Sequence, residues 1–208
     1  MTTLILVRHG QSVANEQWRF AGHSDFALSK LGKRQAQLAG QYIHKNFNVD
    51  KIYSSDLKRA YCTALPASEL FGIPVIKRKG LREIFAGVWE TMTFDEIAEE
   101  YPEAFHTWKF DFSNARCTDG ESVFELYDRF CAEILSIAEE NEGKCVLIAT
   151  HAAAIRTFEA MCRGLGREHV GDIGFVANAS INLFGVDNGV PYVIQTSITD
   201  HLADEINQ

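Results

Sequence analysis

The chain has 208 residues, of which 46% are hydrophobic and 23% are charged. This length and composition are typical of one globular domain, and they exclude a disordered or fibrous chain. The net charge of −8 argues against nucleic acid as a general partner, because nucleic-acid binding needs a basic face. It also means that a site for an anionic substrate must be locally positive.

The first segment of the chain predicts a buried strand over residues 3–7. Its apolar run Leu4-Ile5-Leu6-Val7 is followed at once by Arg8 and His9. No basic region precedes the run and no small-residue cleavage site follows it, so neither a secretory signal nor a membrane span fits. We therefore expect a cytoplasmic protein that does not associate with membranes.

Apolar periodicity predicts strands that alternate with helices along the rest of the chain. Ser29 is a candidate N-cap for a helix through about Lys45, and Pro66 is a candidate break in the next helix. The predicted strands are 3–7, 51–53, 73–76, 145–149, 179–186 and 192–196, and the predicted helices are 29–45, from 56, 94–101, 122–140 and 153–162.

This alternation predicts an α/β fold, a three-layer sandwich in which helices cover both faces of a mostly parallel central sheet. The turn at 187–189 contains Asn-Gly and predicts one antiparallel pair at a sheet edge, and Pro74 makes 73–76 an edge candidate. We expect a single domain over residues 1–208 with a small, mainly helical inserted lobe at about 82–142. An aromatic stretch within that lobe is expected to form its core.

Two histidines directly follow predicted buried strands. His9 comes after Arg8 at the end of the first strand, and His151 ends the strand 145–149 and opens a helix. Open α/β sheets bind ligands at the carboxyl ends of their strands. Arginine offers a planar charged fork to a phosphate, and a histidine nitrogen is partly neutral and nucleophilic at pH 7. The pattern predicts an anion site that contains a nucleophile.

Two further charged residues occur in similar positions. Arg59 lies in the first turns of a helix that follows a strand, and Glu83 comes just after the strand 73–76. A carboxyl group near a phosphate anion can hold the proton that general acid catalysis requires. Taken singly, an arginine such as Arg59 is more often half of a structural ion pair, and Glu83 could pair with Arg82 or Lys79, so the prediction depends on the set.

As a set, these motifs resemble the histidine phosphatase superfamily, the phosphoglycerate mutase-like proteins. They run from residue 4 to about residue 156 in the order and spacing of that family. The matching segments are Arg8-His9-Gly10, Asn15, Arg19-Phe20-Ala21-Gly22, Leu28-Ser29, Gly32, Ser54-Ser55-Asp56-Leu57-Lys58-Arg59-Ala60, Leu81-Arg82-Glu83, Gly87-Val88-Trp89-Glu90, Asp119-Gly120-Glu121-Ser122 and Thr150-His151.

The resemblance implies roles for individual residues. His9 would be the nucleophile that becomes phosphohistidine, and Glu83 would protonate the leaving alcohol, with Arg8, Arg59 and His151 completing the catalytic set. The implied phosphate and substrate ligands are Arg8, Asn15, Gly22, Arg59, His151 and Ala152. It implies neither a metal nor a cofactor, and the expected partner is a small phosphorylated metabolite. The oligomeric state stays open, with a homodimer as one option.

The main alternative is a cofactor-dependent phosphotransferase of the phosphoglycerate mutase type, which shares the first half-reaction. Glycolytic mutases of the family carry Arg-His-Tyr-Gly after the acidic residue to hold a carboxylate, whereas Glu83 is followed by the segment 84–87, Ile-Phe-Ala-Gly. This difference favours hydrolysis and admits a partly apolar leaving group. The natural substrate stays open among sugar phosphates, phosphoglycerates, nucleotides and a cobalamin-pathway nucleotide phosphate.

Two alternatives come from other functional classes. His9, His151 and Glu83 could ligate zinc in a hydrolytic site, although the adjacent arginines would repel a cation, and full activity in EDTA would exclude this. The chain could also be a non-catalytic binder of phosphorylated ligands. The presence of both His9 and Glu83 argues against a mere binder, and absent hydrolysis of p-nitrophenyl phosphate would favour it.

Overall fold

The computed structural model describes residues 1–203, and within them a central six-stranded sheet has the order β3-β2-β4-β1-β5-β6. The strands alternate with helices along the chain, as predicted. The strands are β1 (Thr2–Arg8), β2 (Lys51–Ser55), β3 (Val75–Arg78), β4 (Cys145–Thr150), β5 (Ile181–Asp187) and β6 (Val190–Ile198), and the helices are α1 (Val13–Glu16), α2 (Lys30–Asn46), α3 (Lys58–Phe71), α4 (Phe94–Glu100), α5 (Pro102–Phe110), α6 (Val123–Glu140) and α7 (Ala152–Cys162).

Helices cover both faces of this sheet, which confirms the predicted three-layer sandwich. Ile5 and Leu147 pack on one face with Ala39 of α2 and Ala64 of α3. The adjacent residues of the same strands, such as Leu6 and Ile148, pack on the other face with α6 and α7. Successive side chains of a strand point to opposite faces, so a strand covered on both sides must be continuously apolar. This explains the uninterrupted apolar runs in β1 and β4.

The antiparallel part of the sheet is larger than predicted. β5 and β6 form the expected hairpin at one edge, and φ is 50° at Asn188 and 79° at Gly189, as a type I′ turn requires. However, β5 is also antiparallel to β1. The sequence did not predict this second pairing, because strand direction depends on which strand becomes the neighbour. β3 lies at the opposite edge, which confirms the prediction made from Pro74.

Pro66 lies inside α3 without ending it, so the candidate break at this residue was wrong. Proline removes one helical hydrogen bond and normally destabilises a helix interior. Here α3 packs tightly on α2 at Gly40, where an added Cβ would come within 2.9 Å of the Cβ of Pro66. The close contact between the two helices stabilises α3 in spite of the proline.

The segment from about 82 to 142 contains two kinds of helix. α4 and α5 carry the aromatic side chains, whereas α6 packs on the sheet side of the core together with α7. The division of the chain into one domain with an inserted lobe at about 82–142 stays a prediction. Within residues 1–203, none of the helices has the length and apolar character needed to cross a membrane.

Candidate active site

A cavity of about 240 Å³ opens at the carboxyl ends of β1 and β4. It is the place that an open α/β sheet offers a ligand, and the predicted site residues other than His151 line it. Its lining is Arg8, His9, Asn15, Arg19, Phe20, Ala21, Gly22, Arg59, Glu83, Ile84, Phe94, Trp108, Phe112, Ala152, Ala153, Arg156, Phe175 and Val176. A larger groove elsewhere is lined by the acidic side chains of Glu139 and Glu142, which would repel a phosphate.

His9 is buried at the end of β1, with 4% of its surface exposed. Its Nδ1 lies 2.7 Å from the carbonyl oxygen of Gly10. Because a carbonyl oxygen can only accept, Nδ1 must carry the proton, and Nε2 of the neutral ring keeps its lone pair. Burial, then the nearby charges of Arg59 and Arg8, lower the pKa of His9 well below its usual value. His9 is therefore neutral at pH 7 and has one nitrogen available for nucleophilic attack.

Two buried arginines lie beside this histidine. Nη1 of Arg8 donates to the carbonyl oxygen of Val176 at 2.5 Å, and Arg59 donates to the carbonyl oxygens of Gly22 at 2.7 Å and Ser24 at 2.8 Å. The Nε atom of each is buried and has no partner among the described residues. Burial lowers the pKa of both to about 10, so both stay charged at pH 7.

His151 lies against His9 but is fully buried and does not line the cavity. Its ring centroid lies 5.2 Å from that of His9, and its Nε2 is 2.9 Å from Oγ of Ser55. Burial and the charge of Arg59 lower the pKa of His151 well below its usual value. Its buried Nδ1 has no partner within residues 1–203. Two strand ends that are distant in sequence thus bring His9 and His151 together.

Glu83 is held at the N-terminus of α7. Its Oε1 accepts hydrogen bonds from the amides of Ile84 at 3.0 Å and Ala154 at 3.3 Å, and its Oε2 accepts one from Ala153 at 3.2 Å. The neighbouring Arg82 forms a bidentate pair with Asp56, so Arg82 is not the partner of Glu83. The carboxyl group is thereby fixed on the cavity wall.

Asn15 is positioned by its amide oxygen, which accepts from the amide and the hydroxyl of Ser12 at 3.0 Å and from Nδ2 of Asn178 at 3.3 Å. This leaves the Asn15 amide NH₂ group as the donor available to a ligand. Ala152 is the first residue of α7 and lines the cavity, so the positive end of that helix lies beside it.

Gly22 carries the loop that holds Arg59. Its φ is +46°, a left-handed conformation that suits glycine, and an added Cβ would collide with the carboxylate of Glu90. That carboxylate accepts from the amides of His23 at 2.7 Å and Ser24 at 2.6 Å. Glu90 therefore organises the loop from which Arg59 receives two carbonyl acceptors.

Sequence reasoning assigned no role to Glu90, Asn178 or Arg156. Nδ2 of Asn178 donates to the carbonyl oxygen of His9 at 3.0 Å across 169 positions, and no local pattern signals such a contact. Glu90 and Arg156 lie in or next to motifs that carried the resemblance. The missing information was three-dimensional: Glu90 accepts from the amides of His23 and Ser24, and Arg156 lines the cavity.

The other end of the cavity is aromatic. Phe94, Trp108 and Phe112 line it, so the expectation that the aromatic stretch only forms a lobe core was incomplete. The same rings also pack on each other and on Phe20, with centroids 5.0 Å apart for Phe20 and Trp108. Trp89 is fully buried behind them. A cationic end and an apolar end therefore share one cavity.

Across residues 1–203, no group of three or more histidine, cysteine, aspartate or glutamate side chains is arranged to hold a metal ion. Both carboxylate oxygens of Glu83 face backbone amides instead. The zinc alternative is decided by activity in the presence of a chelator.

Comparison with known proteins identifies the family. The model of the histidine phosphatase superfamily (branch 1) matches residues 4–199. The chain is 32% identical over 204 residues to phosphoserine phosphatase 1 of Hydrogenobacter thermophilus, covering 98% of this chain and 96% of that protein. The chain belongs to the histidine phosphatase superfamily, as its motifs predicted.

Two solved structures agree with this assignment. YhfR of Bacillus stearothermophilus matches with a TM-score of 0.91 and 29% identity, over 97% of this chain and 100% of that one. A mutant phosphoserine phosphatase of Entamoeba histolytica in complex with phosphoserine matches with a TM-score of 0.82 and 27% identity, also over 97% and 100%. The protein is a phosphatase of this family, a phosphoric monoester hydrolase, and its substrate is a small phosphorylated compound.

Proposed function

We propose that the protein hydrolyses the phosphate monoester of a small metabolite by moving the phosphoryl group to Nε2 of His9 and then to water. The observation that carries the proposal is the state of His9. Its ring is buried and neutral, with Nδ1 committed to Gly10 and Nε2 free. Splitting the transfer into two displacements makes each one easier.

A phosphate monoester that binds as its monoanion brings the proton that Glu83 takes up beside the phosphate. In the first step the Nε2 lone pair of His9 forms a bond to phosphorus while the bond from phosphorus to the ester oxygen breaks. Glu83 gives this proton to that oxygen, so the alcohol leaves neutral. In the second step water attacks phosphorus, the phosphorus–nitrogen bond breaks, and Glu83 takes the proton of the water. Inorganic phosphate leaves, and both residues return to their starting states.

Phosphoryl transfer mainly requires positioning and compensation of charge on the equatorial oxygens. Arg8 and Arg59 would supply two permanent charges from buried positions, where electrostatic interactions are strong. His151, the NH₂ group of Asn15 and the N-terminus of α7 at Ala152 would add hydrogen bonds. These donors need no metal to balance the phosphate charge.

The experiment compares His9→Ala with the wild type by trapping the phosphoenzyme from ³²P-labelled substrate. We expect acid-labile label on the wild type and none on the variant, with kcat lower by at least about 10⁴-fold. Thermal unfolding should still be cooperative, since the main loss is chemical. His44→Ala, at an exposed histidine of α2, is the matched control and should label normally.

Several results would contradict the proposal. They are acid-labile label on His9→Ala, no hydrolysis of p-nitrophenyl phosphate by the wild type, and loss of activity in EDTA. Phosphoserine is the first natural candidate to test, because it appears in the names of relatives. Transfer of label to a hydroxyl of a phosphoglycerate instead of release as inorganic phosphate would indicate a mutase.

A further inference from the structure

Three of the arginines that line the cavity differ from the paired arginines of this chain. Among the described residues, seven arginines lie within 4.0 Å of carboxylate oxygens, including Arg19, which also lines the cavity. These pairs are Arg19–Glu96, Arg78–Glu140, Arg82–Asp56, Arg116–Glu125, Arg129–Glu121, Arg163–Glu159 and Arg167–Asp128. Arg8, Arg59 and Arg156 have no such partner among the described residues, and all of them line the cavity.

Arg156 is held rigidly on α7. Its Nε donates to the carbonyl oxygen of Ile173 at 3.0 Å, and its Nη2 lies 3.3 Å from the carbonyl oxygens of Val170 and Gly171. The guanidinium carbon lies 3.9 Å from the centroid of the Phe112 ring. Within residues 1–203, Nη1 makes no hydrogen bond, so one edge of a fixed guanidinium is left for a ligand.

Arg156 has no carboxylate within salt-bridge distance among the described residues. Burial lowers its pKa, and the nearby charges of Glu83 and Glu159 oppose that effect, but Glu159 pairs with Arg163. The oxygens of Glu83 accept from the amides of Ile84, Ala153 and Ala154 instead. Keeping a partly buried cation without a counter-ion costs free energy. An anionic group of the substrate would remove that cost.

We propose that Arg156 binds a carboxylate on the alcohol part of the substrate, which makes the substrate a phosphorylated carboxylic acid. This inference rests on the proposed function, because Arg8 and Arg59 are already committed there to the phosphoryl group. A carboxylate carries one negative charge, which the free Nη1 of the single cation Arg156 can match, whereas a second phosphate carries up to two charges and would need a further cation. The residue stands beside Phe112, so the carbon skeleton would lie along the aromatic wall.

The first test uses the wild-type enzyme and two matched substrate pairs. Phosphoserine differs from phosphoethanolamine by its carboxylate, and 3-phosphoglycerate differs from glycerol 3-phosphate in the same way. We expect kcat/KM to be at least about tenfold higher for the acid in one or both pairs, as a charge-assisted hydrogen bond provides. A ratio near one in both pairs overturns the proposal.

The second test asks whether Arg156 causes the preference. In Arg156→Met the acid-to-control ratio of kcat/KM should fall by about 10- to 100-fold, and Arg156→Lys should keep part of it because the charge remains. Arg163→Met is the matched control, since Arg163 directly follows the same helix as its C-cap residue and pairs with Glu159. It should keep the wild-type ratio.

An equal loss for both members of each pair in Arg156→Met would overturn the proposal, because Arg156 would then act only by holding the segment 170–173. The two proposals fail in different ways. If p-nitrophenyl phosphate is hydrolysed through His9 without any preference for acids, only the carboxylate site is wrong. If no monoester is hydrolysed, the proposed function is wrong and the carboxylate site is wrong with it.

Discussion

The two ends of the cavity are built on different principles. The cationic end contains Arg8, His9 and Arg59 and is called the phosphate end, because the proposed function places the phosphoryl group there. Each polar side chain at this end is positioned by hydrogen bonds to the backbone or to another buried group, as for Arg59 on Gly22 and Ser24. At the aromatic end, Trp108 is positioned by ring contacts with Phe20, Trp89 and Phe112. The first end therefore requires particular atoms, whereas the second requires only shape and apolar surface.

This difference suggests how chemistry and specificity are divided. Phosphoryl transfer makes the same demands whatever the alcohol is, and its groups come from strand ends and helix starts of the rigid sheet. The alcohol part would face α4, α5 and the segment that carries Phe175, which lie outside the sheet. Connecting and inserted segments tolerate sequence change better than the elements of a core. The following experiments test whether the two ends act independently.

Removing a phosphate-end charge should have the largest effect. In Arg59→Met we expect kcat/KM to fall by about 10²- to 10³-fold for every monoester, the cost of losing one donor to a developing charge. Arg78→Met is the control. It breaks a partly exposed pair between Arg78 of β3 and Glu140 of α6, and its kcat/KM should stay near the wild-type value. A loss that varied strongly with the alcohol part would contradict the separation of the two ends.

Glu83→Gln should lower the rate to different extents for substrates with different leaving groups. Alkyl phosphates need a proton on the departing oxygen, so their kcat should fall by about 10²-fold or more, whereas p-nitrophenyl phosphate should lose much less. Rates for a series of phosphates with graded alcohol pKa measure this. If the rates fell by the same factor across the series, Glu83 would not be the general acid. Glu103→Gln, at an exposed position of α5, is the control.

Trp108→Leu should affect only the aromatic end. For 2-naphthyl phosphate we expect KM to rise by about 5- to 10-fold, which corresponds to about 1 to 1.4 kcal/mol of lost apolar contact, with little change in kcat. Trp18 is 75% exposed and does not line the cavity, so Trp18→Leu should leave KM unchanged. A matching fall in kcat for all substrates would show that the lobe also positions the phosphate end.

The last prediction concerns stability and not catalysis. His9 and His151 have pKa values lowered below about 6.5 in the folded state, so the unfolded chain binds more protons below that pH. Above about pH 6.5, the titration of these two histidines should not change the free energy of unfolding. It should fall by about 1.4 kcal/mol per pH unit for each histidine as the pH drops towards the folded-state pKa values.

Urea unfolding at pH 7.5, 6.5, 6.0 and 5.5 measures this dependence. His151→Asn should show a shallower loss than the wild type between pH 6.5 and 5.5, because one of the two groups is gone. Parallel profiles for the two proteins would mean that His151 titrates normally in the folded state, and the charge pattern of the phosphate end would need revision.

Local patterns predicted much of the scaffold. The Ser29 cap begins α2, and the side chain of Ser29 accepts from the amide of Gly32. The run at 145–149 became β4, followed directly by His151 and α7. The helix α5 was missed although its sequence carries a signal. Ala104, Phe105 and Trp108 recur at helical spacing and pack on the core while staying partly exposed, but the aromatic residues among them were interpreted only as lobe core.

The amino-acid sequence alone was sufficient for the strands, the main helices and the positions of Arg8, His9 and His151 at element ends, because these features depend on neighbours within a few residues. Only the folded chain decided that Asn178 reaches His9, that β5 reverses direction beside β1, and that Arg156 faces the cavity without a carboxylate partner. Such contacts join residues far apart in the chain, and their geometry follows from strand order and helix packing, which no short sequence pattern encodes.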